Sequence, residues 1–443
     1  MPALTLSRAR LCGSAQVPPS KSAVHRALIS AALSTRPCRL MGFSFPLCDD
    51  IRATLNGITA LGASVRLEEN AILVTPAPAG RRSNAPTAHC HVYASASSLR
   101  MLIPVFLAKG QPVTFTLEQG LARRPLDAFD PLLARLGAVL KRLPDTADGF
   151  AALHLEGFMP AGAYQVDGSL SSQFASGMLL ALSHATNENG QPAPSTLTVT
   201  GPIVSRPYLD LTLSYLQEMG LEIQERQEGV FALTPSACSG ASAMTMPADW
   251  SQAAVFLCVN AMGGGIMLQN MALDDPHAQG DAGVLDILRR MGMRLYLTHG
   301  ELYAVSPSHA GLMPVTIDCT SIPDLAPILA LTCTQARGDC VLTGVSRLRA
   351  KECDRLAATW DLLGQLGVAT DLSDDQHVLT IHGPARLRGG FQADARGDHR
   401  MAMFVAAAAL LCDQPITLTG WESVSKSWPA FWDTYRALGG IAK

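Results

Sequence analysis

The residues able to do chemistry gather in short stretches at the starts of apolar runs. Lys21, Ser22 and Arg26 follow Pro18-Pro19-Ser20 and lead into Ala27-Leu28-Ile29-Ser30-Ala31-Ala32-Leu33. Proline cannot sit inside a helix, and Ser20 or Ser22 is a natural N-cap, so two cations and a hydroxyl lie on a first turn. Unpaired N–H groups and the positive end of the helix dipole favour an anion there. A cation at that end is unfavourable unless something negative stands between. Ser171, Ser172 and Gln173 open a similar run with more hydroxyl and amide groups than capping needs, and such donors suit a phosphate or a polyol. Arg100 sits one turn into the run opened by Ser95-Ala96-Ser97-Ser98, Arg124 precedes a proline turn, and Ser205 and Tyr208 flank Arg206-Pro207. Asp324 opens another apolar run. The densest charged stretch is Lys351-Glu352-Cys353-Asp354-Arg355, where Lys351 and Arg355 are expected to share a helix face. His399 and Arg400 begin the last apolar run, and Lys426 lies between serines.

Each stretch has a plainer reading, a capped helix or a solvated turn. Together they concentrate cations and hydroxyls at helix starts, with few carboxylates to work with. In a chain of net charge −3 this points to small ligands bearing phosphate and carboxylate groups. Only six lysines occur (Lys21, Lys109, Lys141, Lys351, Lys426 and Lys443), and three of them fall in these stretches. Lysine is a compact point charge, so its use where arginine is the default cation is informative. Phosphate loops, Gly-x-Gly-x-x-Gly and metal-ligand spacings are absent, which disfavours nucleotide and metal chemistry.

The elements that position these residues repeat. Amphipathic segments end in a Leu-Gly or Met-Gly step at Gly62, Gly137, Gly220, Gly292, Gly367 and Gly439, at intervals of 75, 83, 72, 75 and 72 residues. Glycine is the expected residue just past a helix, and strand-like alternation follows. A second, wholly apolar helix type shares the period, beginning near Ser22, Ser98, Ser171, Ser251, Asp324 and His399. Lacking a polar face, these read as core helices. Six units of about 75 residues, three per domain, account for the 443 residues. The boundary between halves is expected in the Ala-, Ser- and Gly-rich residues 236–244.

Composition narrows the class. The chain is 48% hydrophobic and 16% charged, which suggests neither nucleic acid nor an anionic membrane as partner. Residues 1–16 lack a secretory h-region, and the longest apolar run, 401–412, is too short to span a bilayer. Eleven cysteines without a Cys-x-x-Cys pair argue against zinc and a disulfide framework, so a cytoplasmic protein is expected.

At these stretches the chain resembles the 5-enolpyruvylshikimate-3-phosphate synthases, within the enolpyruvyl transferase family. The resemblance runs from residue 18 to residue 426. It rests on Pro-Ser-Lys-Ser…His-Arg (19–26), Asp-Gly-Ser-Leu-Ser-Ser-Gln-Phe (167–174), Lys-Glu-Cys-Asp-Arg (351–355) and Asp-His-Arg-Met-Ala-Met (398–403). It implies an α/β (α+β) fold of six βαβαββ units in two domains, residues 20–240 and residues 1–19 with 241–443, around an interdomain cleft. The implied reaction moves the enolpyruvyl group of phosphoenolpyruvate to the 5-hydroxyl of shikimate 3-phosphate by addition and elimination. No metal or organic cofactor, no nucleic acid and no membrane is implied, and the protein is expected to be a monomer.

By the same resemblance Lys21, Ser22, Arg26, Ser171, Ser172, Gln173, Ser205, Tyr208, Asp324 and Lys351 hold shikimate 3-phosphate. Lys21, Arg100, Arg124, Gln173, Arg355, Arg400 and Lys426 surround phosphoenolpyruvate. Asp324 acts on the 5-hydroxyl proton, and Glu352 exchanges a proton with the methylene carbon, with Lys21 and His399 beside them. The departure lies in residues 93–100, where much of the family has Gly-Asn-Ala-Gly-Thr and another branch Gly-Glu-Ser-Gly-Ser-Thr, both ending at the same arginine; here Tyr93, Ala94 and Ala96 replace both glycines and the Asn or Glu. The Ala96 methyl is expected to hinder glyphosate, longer than phosphoenolpyruvate, more than the substrate. The competing readings are a UDP-N-acetylglucosamine enolpyruvyl transferase, disfavoured by Ser22 where that enzyme has Asn, and a non-catalytic relative that binds a phosphorylated metabolite.

Overall fold

Side-chain caps start five of the six core helices in the computed structural model, which describes residues 3–77, 85–234, 240–272, 279–306 and 311–443. Ser20 accepts from Ala23 N ahead of Lys21–Leu33, and Ser95 from Ser98 N ahead of Ala96–Lys109. Ser171 accepts from Gln173 N ahead of Ser172–Leu182, and Asp249 from Gln252 N ahead of Trp250–Ala261. Asp398 accepts from Arg400 N ahead of His399–Ala409. Each such bond satisfies an orphan donor and contributes about 1 kcal/mol. The sixth helix, Ala326–Cys333, begins after Leu325 with no side-chain cap. Asp324, expected at its start, has its carboxylate engaged elsewhere.

The six surface helices end as the glycine series predicts. Gly62, Gly137, Gly220, Gly292, Gly367 and Gly439 all have positive φ, between 59° and 98°, a conformation that carries no steric cost for glycine alone. Among the described residues the strands form six four-stranded sheets. In Ala88–His91, Val113–Leu117, Ala151–Glu156 and Val139–Leu143, listed in spatial order, the first pair is parallel and the next two antiparallel. A core helix makes the parallel crossover, and the surface helix leads into the closing hairpin. The same parallel, antiparallel, antiparallel order recurs in the other five sheets.

Two of the repeats borrow strands from the start of the chain. Cys12–Gln16 pairs in parallel with Gly265–Gln269, and Ala3–Ser7 lies between Ile416–Thr419 and Ile441–Ala442. One compact unit therefore holds the residues up to Pro18 and those from Pro247 onward, and the other is Pro19–Met246. Residues 236–239 of the proposed boundary lie outside the described residues. Beyond them, Ala243–Thr245 pairs with Cys38–Met41, so the change of unit falls at Met246–Pro247 and not at 240/241. Each unit has its own hydrophobic core, built mainly from its three core helices.

Two core helices come into close backbone contact at Gly177, where Ser172–Leu182 packs on Ala96–Lys109. A Cβ there would lie 2.7 Å from Arg100 O and 2.9 Å from Met101 Cα, backbone atoms that cannot swing aside. Gly177→Ala is expected to lower stability by about 1–3 kcal/mol in urea unfolding. An unchanged midpoint would mean that the two helices separate freely.

Candidate active site

In the unit that includes Pro247 onward, the charged stretches meet at Arg355. Its side chain is 1% exposed and bonds three carboxylates: Nε to Asp398 Oδ2 (2.7 Å), NH1 to Asp324 Oδ1 (2.7 Å) and NH2 to Glu352 Oε2 (2.7 Å). Two of those acids carry a lysine as well. Lys351 Nζ donates to Asp324 Oδ1 at 2.9 Å and Lys426 Nζ to Glu352 Oε1 at 2.8 Å. Arg400 NH1 donates to Ser251 O (2.7 Å), and His399 Nδ1 lies 3.8 Å from Asp398 Oδ1. Burial pushes the Asp324 carboxyl up, but Lys351, Arg355 and Arg400 together outweigh it and hold the group well below its ordinary range. For Arg355 burial opposes the charge, and Asp398, Glu352 and Asp324 more than compensate.

The helix expected across 351–355 is absent, because Asp354 caps at Ala357 N and the helix Arg355–Gln365 begins only there. Lys351 follows the 3₁₀ turn Val345–Ala350 in extended conformation. Lys351 and Arg355 therefore converge on Asp324 without sharing a helical face. Lys426 ends another 3₁₀ turn, Trp421–Lys426. Asp398, read in the sequence only as part of a helix start, is the acid that buries Arg355. Its position directly before His399-Arg400 was the available signal.

The unit Pro19–Met246 gathers the other expected residues. Lys21 Nζ bonds Asp50 Oδ2 at 2.8 Å, an ion pair that the sequence did not signal. Arg26 is 2% exposed and, among the described residues, bonded only to neutral acceptors: Thr212 Oγ1 (2.7 Å), Ser22 O (2.6 Å), Ser176 Oγ (3.1 Å) and Tyr208 O (2.8 Å). Burial lowers it to about 10. Arg100 NH1 donates to Gln173 Oε1 (3.0 Å), Gln173 Nε2 donates to Ser97 Oγ (2.8 Å), and the Arg100 guanidinium lies over the Phe174 ring. Arg124 and Tyr208 are half-buried and Ser172 is buried, while Ser205 caps Arg206–Glu218 in the left-handed region, φ 55°. Tyr93 holds φ 49°, glycine's conformation, with its ring edge-on to His91 and facing Arg52. Ala96 is the first residue of its helix and is buried against the unit's apolar core.

A family model described as EPSP synthase (3-phosphoshikimate 1-carboxyvinyltransferase) matches residues 7–435. The chain belongs to the EPSP synthase family. The 3-phosphoshikimate 1-carboxyvinyltransferase of Clostridium beijerinckii is 32% identical over 438 residues, 98% of this chain and 96% of that protein. The one from Clostridioides difficile is 32% identical over 447 residues, covering 99% and 98%. Among solved structures, EPSP synthase from Acinetobacter baumannii matches with a TM-score of 0.75 at 23% identity, over 100% of this chain and 99% of that one. The enolpyruvyl transferase NikO from Streptomyces tendae matches at 0.74 and 18% identity, over 100% and 98%. These structures establish the enolpyruvyl transferase fold.

In this EPSP synthase family member a buried polar chain links the first two core helices. His25 Nδ1 lies 2.6 Å from Thr54 Oγ1, Thr54 is 2.9 Å from Ser98 Oγ, and Ser98 is 2.8 Å from Ser95 Oγ. Burial, with Lys21 and Arg26 nearby and only Asp50 opposing, lowers His25 to about 4. An unfolded histidine titrates near 6.5, so below that pH the unfolded chain takes a proton that the folded one refuses. Stability is therefore expected to fall as pH drops from about 6.5 to about 4, by roughly 3 kcal/mol from this residue. His184, lowered to about 3 by burial, adds with the same sign. Urea unfolding across this range should show a shallower slope for His25→Gln, and an unaltered slope would assign the proton elsewhere.

Proposed function

We infer that the chain transfers the enolpyruvyl group of phosphoenolpyruvate to the 5-hydroxyl of shikimate 3-phosphate and releases phosphate, a step of aromatic biosynthesis. Beside the family membership, one observation carries the reading furthest. A single buried guanidinium holds Asp324 and Glu352, and each of those acids also meets a lysine. Two carboxylates kept among cations suit a reaction between two anions that needs a base at one atom and proton exchange at another.

In this reading Asp324 takes the proton of the 5-hydroxyl as its oxygen adds to C2 of phosphoenolpyruvate. A proton is delivered to C3, giving a tetrahedral intermediate. Loss of a C3 proton then expels phosphate. Glu352 exchanges the C3 proton, with His399 and Lys21 beside the reacting centre. Lys21, Arg100, Arg124, Gln173, Arg355, Arg400 and Lys426 serve the phosphoenolpyruvate anion. Lys21, Ser22, Arg26, Ser171, Ser172, Gln173, Ser205, Tyr208, Asp324 and Lys351 serve shikimate 3-phosphate. Arg26 supports this as a buried cation whose hydrogen-bond partners among the described residues are all neutral, a charge that draws an anion toward its unit. An anionic substrate that draws Lys351 away from Asp324 removes one cation depressing that carboxyl, so the base strengthens as substrate arrives. The reading includes a monomer working in the cytoplasm without metal or organic cofactor.

Phosphate release from phosphoenolpyruvate should require shikimate 3-phosphate and should not occur with UDP-N-acetylglucosamine. No release with either acceptor would leave the non-catalytic reading. Glu352→Gln should slow exchange of the methylene protons by more than about tenfold while shikimate 3-phosphate affinity stays within about twofold. Exchange at the wild-type rate would remove Glu352 from the chemistry. Glyphosate should inhibit Ala96→Gly some ten- to hundredfold more strongly than the wild type. Equal inhibition of the two proteins would clear the methyl group of any part in discrimination.

A further inference from the structure

Asp281 belongs to none of the stretches that carry the chemistry, yet its carboxyl lies among them and is 1% exposed. It stands in the 3₁₀ turn Gly280–Gly283, directly after Gln279. The Gln279 side chain accepts from Trp250 N (3.1 Å) and donates to Ala248 O (2.8 Å), pinning the turn to the start of helix Trp250–Ala261. There Ser251 Oγ donates to Asp281 Oδ2, and the carbonyl of the same serine receives Arg400 NH1 at 2.7 Å. Asp281 Oδ1 has no hydrogen-bond partner among the described residues, and neither does Arg400 Nε. The charged groups facing Asp281 are Asp324 from the turn before Ala326–Cys333, Arg400 from His399–Ala409, and Asp249 from the cap of Trp250–Ala261.

A buried carboxylate with an oxygen unmet is a costly prop. What distinguishes it from a neutral amide of the same shape is charge. Asp324 has Lys351, Arg355 and Arg400 around it, which keeps it ionised but makes it a weak proton acceptor. We propose that Asp281 is a positioning residue of the transfer reaction: resting on Ser251 beside Arg400, its carboxylate opposes the cations around Asp324 and strengthens that group as the base for the 5-hydroxyl. The proposal rests on the role given to Asp324 above. Burial, reinforced by the Asp324 charge and Asp249 and opposed by Ser251 and Arg400, brings Asp281 to about 6. Its charge, and with it the effect on Asp324, is present above that pH and lost below it.

The test is kcat and KM for both substrates between pH 5 and 9 in the full chain, for the wild type, Asp281→Asn and Ser251→Ala. Wild-type kcat should rise through a limb near pH 6. Asp281→Asn should lack that limb, converge on the wild type at pH 5 and fall roughly three- to tenfold below it at pH 8, with KM for shikimate 3-phosphate little altered. Ser251→Ala removes a donor that favours the charged carboxyl, so its limb should move to higher pH. A limb that stays at the wild-type midpoint in both variants overturns the proposal, as does an Asp281→Asn loss equal at every pH. If Asp281→Asn does not fold by circular dichroism, the direction of the Ser251→Ala shift decides. Asp324→Asn separates the two readings: turnover near the wild-type rate there sinks the role of Asp324 itself.

Discussion

Three carboxylates on one buried guanidinium organise the unit that carries most of the acid–base groups. Arginine is suited to this because its planar fork presents five fixed donors, and a lysine ammonium in its place could not meet three acids in one plane. Taking this charge out of water costs several kcal/mol, and the geometry offsets that only while every partner is present. The partners also define the elements around them. Asp398 caps the last core helix through Arg400 N, Asp324 stands before the fifth, and Glu352 lies in the turn that leads to Arg355–Gln365. Three helix starts are thus registered on one side chain. With Asp281 ionised, four carboxylates (Asp281, Asp324, Glu352 and Asp398) face four cations (Lys351, Arg355, Arg400 and Lys426), so small changes in proton occupancy tip a near-neutral group.

The unit Pro19–Met246 handles charge differently. Arg26 is buried against hydroxyls and carbonyls, and Arg100 leans on an amide and an aromatic face. For Arg26 the neutral acceptors satisfy the donors without offsetting the charge, which favours an anion nearby. Lys21, by contrast, is held by Asp50. The acid–base groups of one unit thus sit in charge-matched contacts, whereas the buried Arg26 of the other is held by neutral groups. That division suits a reaction in which two anions must be gathered and then have protons moved on and off them.

Much of the fold was legible because it repeats. A glycine after each surface helix and a polar cap before each core helix are local rules; the first series held throughout and the second at five of six helices. Where reading failed, a side chain had a distant partner. Asp324 looked like a cap and is drawn off by Lys351 and Arg355, so its helix begins uncapped. Lys351 and Arg355 looked like helical neighbours at i and i+4, but the Asp354 cap starts the helix late. Asp398 looked like part of a helix start, and it caps while also burying Arg355, and Asp50 gave no signal of its pairing with Lys21. Tyr93 stands where the family has glycine and keeps the positive φ, which no propensity scale would assign to a tyrosine. Asp281 gave no local signal, since only the tertiary fold brings it to Ser251.

The borrowed strands also impose an order on synthesis. Residues 19 to 246 form a unit from one continuous stretch, so it can fold while the remainder is still being made. Leu6, by contrast, pairs with Ile416 and Ala442, partners more than four hundred residues downstream. Until those are translated, Ala3–Ser7 is a tethered strand without its neighbours, while Cys12–Gln16 waits only for Gly265–Gln269. Such long-range closure is slow and leaves edges open to other chains meanwhile. The second unit's last sheet is thus the most exposed to capture by chaperones or to misassembly while the chain is being made.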